Sequence, residues 1–209
     1  MDETANQIRR YTDLPALLYM LKNRAITLLD PRSWDDANDS YFLELYRKKM
    51  GFGSVLALCF TRSFETYHHW KVFSSGSGGI FVTFNRRKLL DTIKGMQGLR
   101  SGDITYKKIK ELKTSSASKT DLPFLKRWPY RPEKEFRLIY ECREKKKSLD
   151  IPIPLSCVER VTLSPWMNEN VAVTVRKVVR SLEGCKKLSV VHTTLISNEQ
   201  WRKYGDGAS

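Results

Sequence analysis

The chain has no CxxC pair: its four cysteines, Cys59, Cys142, Cys157 and Cys185, are scattered through 209 residues, and only His68, His69 and His192 accompany them. No zinc-ligand spacing can be assembled from such a set, so no metal is expected. Cys59 and Cys142 sit in apolar runs, where a thiol acts as a small hydrophobe, and this suits a reducing cytoplasm. There is no GxGxxG, no P-loop and no HExxH, which removes the common dinucleotide, nucleotide and zinc-hydrolase fingerprints. No apolar run approaches a membrane span, and the opening "MDETANQIRR" is too acidic and polar for a signal peptide. A cytoplasmic protein without a membrane partner is expected. No internal repeat is present.

Acidic residues are also scarce. Lys and Arg number 37 against 23 Asp and Glu, a net charge of +14. The excess is uneven: residues 1–50 are neutral, residues 51–100 hold seven basic against two acidic side chains, and 101–150 hold fourteen against eight. Such a field attracts nucleic acid or another acidic partner. Arg86, Arg87, Lys107, Lys108, Lys126, Arg127, Lys145, Lys146 and Lys147 are the expected phosphate contacts. Trp128 and Tyr130 stand beside them as stacking residues or as covers over the core.

The apolar share, 41%, is enough for a core. Buried strands are expected at 54–61 ("SVLALCFT"), 78–84 ("GGIFVTF") and 135–141 ("EFRLIYE"), with weaker ones at "AITLL", "DITYKKI", "VERVTLS" and "KLSVVHTTL". Helices are expected after Thr12 or Asp13, over "YFLELYRKKM" up to Gly51, over 85–96 with Asn85 as cap, and over 168–184. In the last, Val171, Val175, Val178, Val179 and Leu182 are the inward face. "PRSWDDANDS" reads as a polar loop and "SSGSGG" as a hairpin loop. Strands outnumber helices without alternating with them. An α+β domain over 1–209 is expected, with a mostly antiparallel or mixed sheet flanked by helices. Residues 1–8 and 203–209 read as flexible tails and 113–120 as a mobile loop.

"RPEKEFRLIYE" (131–141) places Glu133 and Glu135 at a strand entrance. Residues i and i+2 of an extended segment face one way, so two carboxylates there can line one cleft. The alternative is a charged turn paired with Arg131, Lys134 or Arg137, worth about 0–1 kcal/mol if exposed. Asp35, Asp36, Asp39 and Glu44 form a second acidic group. It suits helix capping, or oxygen ligation of a divalent ion in a metal-dependent nuclease.

Several short segments, in order, resemble a widespread bacterial family of uncharacterised function. They are Arg10-Tyr11, Pro31 with "SWDDAND" at 33–39, Cys59-Phe60-Thr61, "HWKVF" at 69–73, Gly79 with Phe84, "EKEFR" at 133–137, and "VERVTLSPW" at 158–166. The family's Trp-x-His-Tyr reads Trp70-Lys71-Val72-Phe73 here, and its Phe-Asn-Asp-Pro reads Trp34-Asp35-Asp36-Ala37. If the lost His and Tyr are catalytic, this member is impaired; if they pack, Val72 and Phe73 keep the apolar volume.

The same order of elements is distantly similar to the ADP-ribosyltransferase plan. That resemblance implies an NAD site in which Arg10 holds phosphate, Tyr11, Thr61 and Trp70 shape the pocket, Glu135 stabilises the oxocarbenium-like transition state and Glu133 assists the acceptor. With the basic charge, the expected function is a nucleic-acid-associated protein of bacterial or phage conflict or defence, with that transferase as its activity. The competing reading is a non-catalytic basic module that binds nucleic acid or protein.

Overall fold

A computed structural model of the chain describes residues 6–74, 76–114 and 117–206. The first five and last three residues of the expected tails, and two positions of the expected 113–120 loop, lie outside the described residues. The tail reading fails at its inner edge. Strand β1 (Gln7–Asp13) opens at Gln7, and Ile8 is fully buried. A β-branched residue with core on one side cannot remain a solvated tail.

Asp13 ends β1 and caps helix α1 (Leu14–Asn23): its carboxylate accepts from the Ala16 amide at 2.8 Å, and Pro15 sits in the first turn, where a missing N–H costs nothing. β2 (Ala25–Leu29) follows. The "PRSWDDANDS" stretch is not a simple loop. A short turn at Pro31–Ser33 leads to Asp36, which caps helix α2 (Ala37–Met50), so this helix starts four residues before "YFLELYRKKM". Gly51, at φ 71°, ends it in the left-handed conformation that glycine adopts without strain.

The remaining elements are β3 (Ser54–Thr61), α3 (Tyr67–Phe73), β4 (Gly79–Asn85), α4 (Arg86–Ile93, capped by Asn85), β5 (Leu99–Asp103), β6 (Thr105–Lys107), α5 (Ile109–Thr114), β7 (Leu125–Arg127), β8 (Glu135–Cys142), β9 (Ser148–Pro152), β10 (Val158–Leu163), α6 (Glu169–Ser181), β11 (Ser189–His192) and α7 (Glu199–Asp206). The "DITYKKI" run is divided between the end of β5 and β6. Part of the expected 113–120 loop belongs to α5 and to a tight turn at Lys119–Phe124. Helix α7 reaches into the expected C-terminal tail.

The main sheet runs β11-β10-β4-β1-β3-β2-β9, with β8 along the other edge of β3 and β5 beyond it. β10 and β11 are parallel and the other pairs antiparallel, so the sheet is mixed. The fold is α+β, a central mixed sheet flanked by helices. One face buries Ile8, Leu58, Phe60, Val82, Phe84 and Phe136 against α1, α4 and α6. On α6 the inward residues are Ala172, Val175 and Val179, whereas Val171 and Val178 are 50% and 44% exposed. At 100° per residue those two valines lie on the flank of the stripe that small Ala172 completes.

The other face is divided. α2 covers one end with Leu43 and Tyr46 on Val55, Ala57 and Ile139. α3 covers a second area with Trp70 on Tyr11 and Phe81. Between these two apolar patches, β1 and β3 meet only at Arg9 opposite Thr61. Beyond that contact β1 continues beside β4 while β3 runs on towards β2, opening a split in the sheet.

Candidate active site

Thr61 lies opposite Glu135, and Cys59 opposite Arg137, along the β3–β8 ladder. Register partners share a face, so these four side chains occupy the polar gap between the two apolar patches. The turn that delivers the glutamates is fastened to the end of β3. The Thr61 hydroxyl donates to the Glu133 carbonyl at 2.5 Å, the Ser63 hydroxyl to the Pro132 carbonyl at 2.7 Å and the Arg62 amide to the Lys134 carbonyl at 2.9 Å. Lys134 takes the left-handed conformation (φ 43°) at the point where the turn enters β8.

Glu133 and Glu135 therefore do not form a loose charged turn. Lys126 of β7 bridges them, with Nζ 2.8 Å from Glu133 and 3.2 Å from Glu135. Arg137, fully buried, lies 2.7 Å from Glu135 and 2.6 Å from Asp39 of α2, and donates to the Pro123 carbonyl. Three carboxylates against two cations leave one net negative charge in a dry site. The two glutamates differ in proton affinity. Burial would push the Glu135 carboxyl up, but the charges of Arg137 and Lys126 outweigh it and hold it below the usual range. For Glu133 burial dominates over Lys126, and its carboxyl is raised. Two neighbouring carboxyls pushed in opposite directions are suited to separate electrostatic and proton-transfer roles.

On β1 it is Arg9, not Arg10, that stands in register with Thr61. The row continues from Arg9 to Thr83 on β4 and Arg160 on β10. Arg9 is 4% exposed, stacks on Phe64 and donates to the Arg62 carbonyl and the Gln7 amide oxygen. It has no carboxylate partner among the described residues; Glu159 hydrogen-bonds Gln7 and Asn85 instead. Burial, and then the charge of Arg160, lower its proton affinity. A buried guanidinium without a counterion is expensive, and an anionic ligand would compensate it. Arg10 shares a register position with core-facing Val82 and donates to the Cys59 carbonyl at 3.0 Å, bracing the split. The resemblance pointed to Arg10; the guanidinium in the row with Thr61 belongs to Arg9, which shares its face of β1 with Tyr11.

Tyr11 and Trp70 lie side by side, ring centroids 5.2 Å apart, with Phe81, His69 and Phe73 around Tyr11. The indole N–H of Trp70 and Nδ1 of His69 are buried without hydrogen-bond partners among the described residues. Buried polar atoms left so are open to a ligand. Val72 is 72% exposed and Phe73 43%, so Val72 does not preserve packing at this position.

The basic residues do not form one patch. Lys126 is no surface cation; its side chain is 10% exposed and spent on carboxylates, with the Tyr130 ring 4.7 Å away. Lys107 and Arg127 are register partners on β6 and β7. Lys108 Nζ lies 5.0 Å and the Arg131 guanidinium 4.7 Å from the centre of the Trp128 ring. Arg86 lies over the Phe136 ring, and exposed Arg87 follows it on α4. Lys145, Lys146 and Lys147 sit at the far end of β3, where the Ser54 hydroxyl donates to the Lys146 carbonyl. The acidic group is dispersed as well. Asp36 caps α2, Asp39 pairs with Arg137, and Glu44 pairs with Arg47. Among the described residues no group of three His, Cys, Asp or Glu side chains is placed to hold a metal ion, and no helix is long and apolar enough to cross a membrane.

No family model matches the sequence, and no curated protein matches it significantly. Among solved structures it is similar to Thermus sp. 2.9 DarT in complex with NAD+, at 11% identity and a TM-score of 0.45 over 90% of this chain and 95% of that one. The same protein in complex with ADP-ribosylated ssDNA gives 10% identity and a TM-score of 0.47 over 90% and 94%.

Proposed function

We propose that this chain is an NAD-dependent ADP-ribosyltransferase that works on or beside nucleic acid. The observation that carries the reading is the row Arg9–Thr61–Glu135 on three adjacent strands, at the contact from which the sheet splits. With strands about 4.8 Å apart, the row spans about 10 Å, which a ribose joined to a diphosphate bridges. Arg9 holds the diphosphate and Arg10 braces the split. Tyr11 and Trp70 form the wall for the nicotinamide, with the free indole and imidazole nitrogens available to its amide. Thr61 fixes the glutamate turn. Glu135, held ionised, faces the positive charge that develops on the ribose. Glu133, with raised proton affinity, accepts the acceptor's proton. The acceptor oxygen or nitrogen bonds to C1′, the bond from C1′ to nicotinamide breaks with its electron pair leaving on nicotinamide, and the proton passes through Glu133 to water.

The test is nicotinamide release from NAD by the purified protein. Glu135→Gln keeps the shape and loses the charge, and release should fall about 10²–10³-fold. Arg9→Ala should raise KM for NAD more than it lowers kcat. Glu133→Gln should impair transfer more than hydrolysis. No release above the Glu135→Gln background, with no heat of NAD binding, would overturn the reading.

A second reading, a basic binding module without catalysis, is favoured by the gathering of Lys108 and Arg131 about the Trp128 ring. It is distinguished by oligonucleotide binding that persists in a protein with no NAD turnover.

A further inference from the structure

Glu135 is the first residue of β8, where a strand has the least ladder to hold it. β5 pairs with β8 only as far as Asp103 opposite Phe136. The next residue, Ile104, is buried and donates its amide to the Glu135 carbonyl at 2.9 Å. The chain then enters β6, which pairs with β7 and not with β8. The Glu135 amide faces the same side of β8 as its carbonyl, past the point where the neighbouring main chain can accept from it. The Tyr106 hydroxyl accepts instead, at 2.8 Å. Burial, and the charges of Glu135 and Glu133, push the proton affinity of this phenol up, so it stays neutral. Lys126, which bridges the two carboxylates, is the register partner of Tyr106 across β6 and β7. The two-stranded sheet thus presents one side chain to the Glu135 carboxylate and another to its backbone.

We propose that Tyr106 is a positioning residue for Glu135: its phenol oxygen extends the ladder by one bond and fixes the strand end from which the carboxylate acts. The catalytic consequence rests on the transferase reading; the clamp itself does not. A carboxylate that stabilises a developing charge must be in place before the charge appears, and a displacement of about 1 Å can cost about 10²-fold in rate. The two cations do not supply that fixed point. Arg137 lies two residues along the same strand and moves with it, and Lys126 reaches the carboxylates on a flexible stem. The phenol is carried on a rigid ring by a separate sheet.

The test is Tyr106→Phe, which keeps the ring and removes the oxygen. Amide hydrogen exchange followed by NMR reads the clamp directly. Exchange at Glu135 should be slow in the wild type and about tenfold faster or more in the variant, with Leu138 and Ile139 unchanged. Nicotinamide release reads the consequence: kcat should fall about 10–10²-fold while KM for NAD holds, because the donor contacts lie in the split. Thr105→Ala, at an exposed position of the same strand, should change neither. Fast exchange at Glu135 in the wild type, an unchanged rate there in the variant, or a folded variant that turns NAD over like the wild type would each overturn the proposal. So would a loss that falls on KM alone, since the phenol would then be a donor contact. If exchange changes as expected while the wild-type protein releases no nicotinamide, the transferase reading fails and Tyr106 stands as the clamp of Glu135.

Discussion

Arg137 is the residue on which the polar site depends. Its guanidinium bonds to Asp39 on α2, Glu135 on its own strand and the Pro123 carbonyl, and Trp34 lies 5.1 Å away. Arg137→Met keeps much of the volume but leaves two buried carboxylates short of a cation, at a cost of about 3–5 kcal/mol. The pH dependence follows from the carboxyls. Glu135, depressed in the folded state, stabilises above its unfolded value, and that contribution is lost as pH falls through the folded one. Asp39 and Glu133, both raised by burial, behave oppositely: their penalty is present above their folded values and relieved on acidification. The wild type should therefore show a shallow acid slope. Without Arg137 the Glu135 carboxyl loses its main opposing charge and Asp39, already raised, is raised further, so the deficit should be largest at neutral pH and shrink below about pH 5. Urea unfolding on either side of that value measures it, and a deficit of constant size would refute the account.

At the scale of the element, α6 separates a stripe from a list of apolar residues. Val179→Ala removes fully buried methyl groups and should cost about 1–3 kcal/mol, whereas Val178→Ala, at a 44% exposed position, should stay within about 0.5 kcal/mol. Equal losses in thermal unfolding would mean that the helix is rotated from this placement. The same contrast shows what was legible in the sequence. β3 and β4 were clear because each is a continuous apolar run between turn signals, the pattern of a strand covered on both faces, and β8 because Phe136, Leu138 and Tyr140 alternate onto one face. β1 was obscured because it alternates Ile8 with charged Arg9 and Arg10, a pattern that reads as tail until a partner strand supplies the burial. The start of α2 was hidden by its own capping sequence, since aspartates mark loops and helix starts alike. Within the site, Glu133 and Glu135 were legible from their spacing. Arg137 as a partner of the glutamates was legible too, but its pairing with Asp39 was not, because the two are 98 positions apart and only the packing of α2 on β8 brings them together.

At the scale of the whole molecule, the net charge of +14 gives no direction to a nucleic acid; the placement of the cations does. Lys145, Lys146 and Lys147 adjoin Ser54 at one end of β3, and the glutamate turn adjoins Thr61 at the other. Seven steps at about 3.3 Å each separate the two ends by about 23 Å, more than two Debye lengths at physiological ionic strength. The Lys145–Lys147 run therefore contributes little to a strand seated at the site. Lys107, Lys108 and Arg127 lie beside Trp128 and the glutamate turn, where backbone neutralisation and ring stacking act together. Each phosphate neutralised on a single strand contributes about 0.7 to the slope of log affinity against log salt. Replacing Lys107, Lys108 and Arg127 together by Ala should lower that slope by about 2, and replacing Lys145–Lys147 should leave it nearly unchanged. Fluorescence anisotropy of a labelled single-stranded oligonucleotide at several salt concentrations measures both. If the Lys145–Lys147 variant loses the slope and the other keeps it, the nucleic acid binds at the far end of the sheet, and the glutamate turn does not face it.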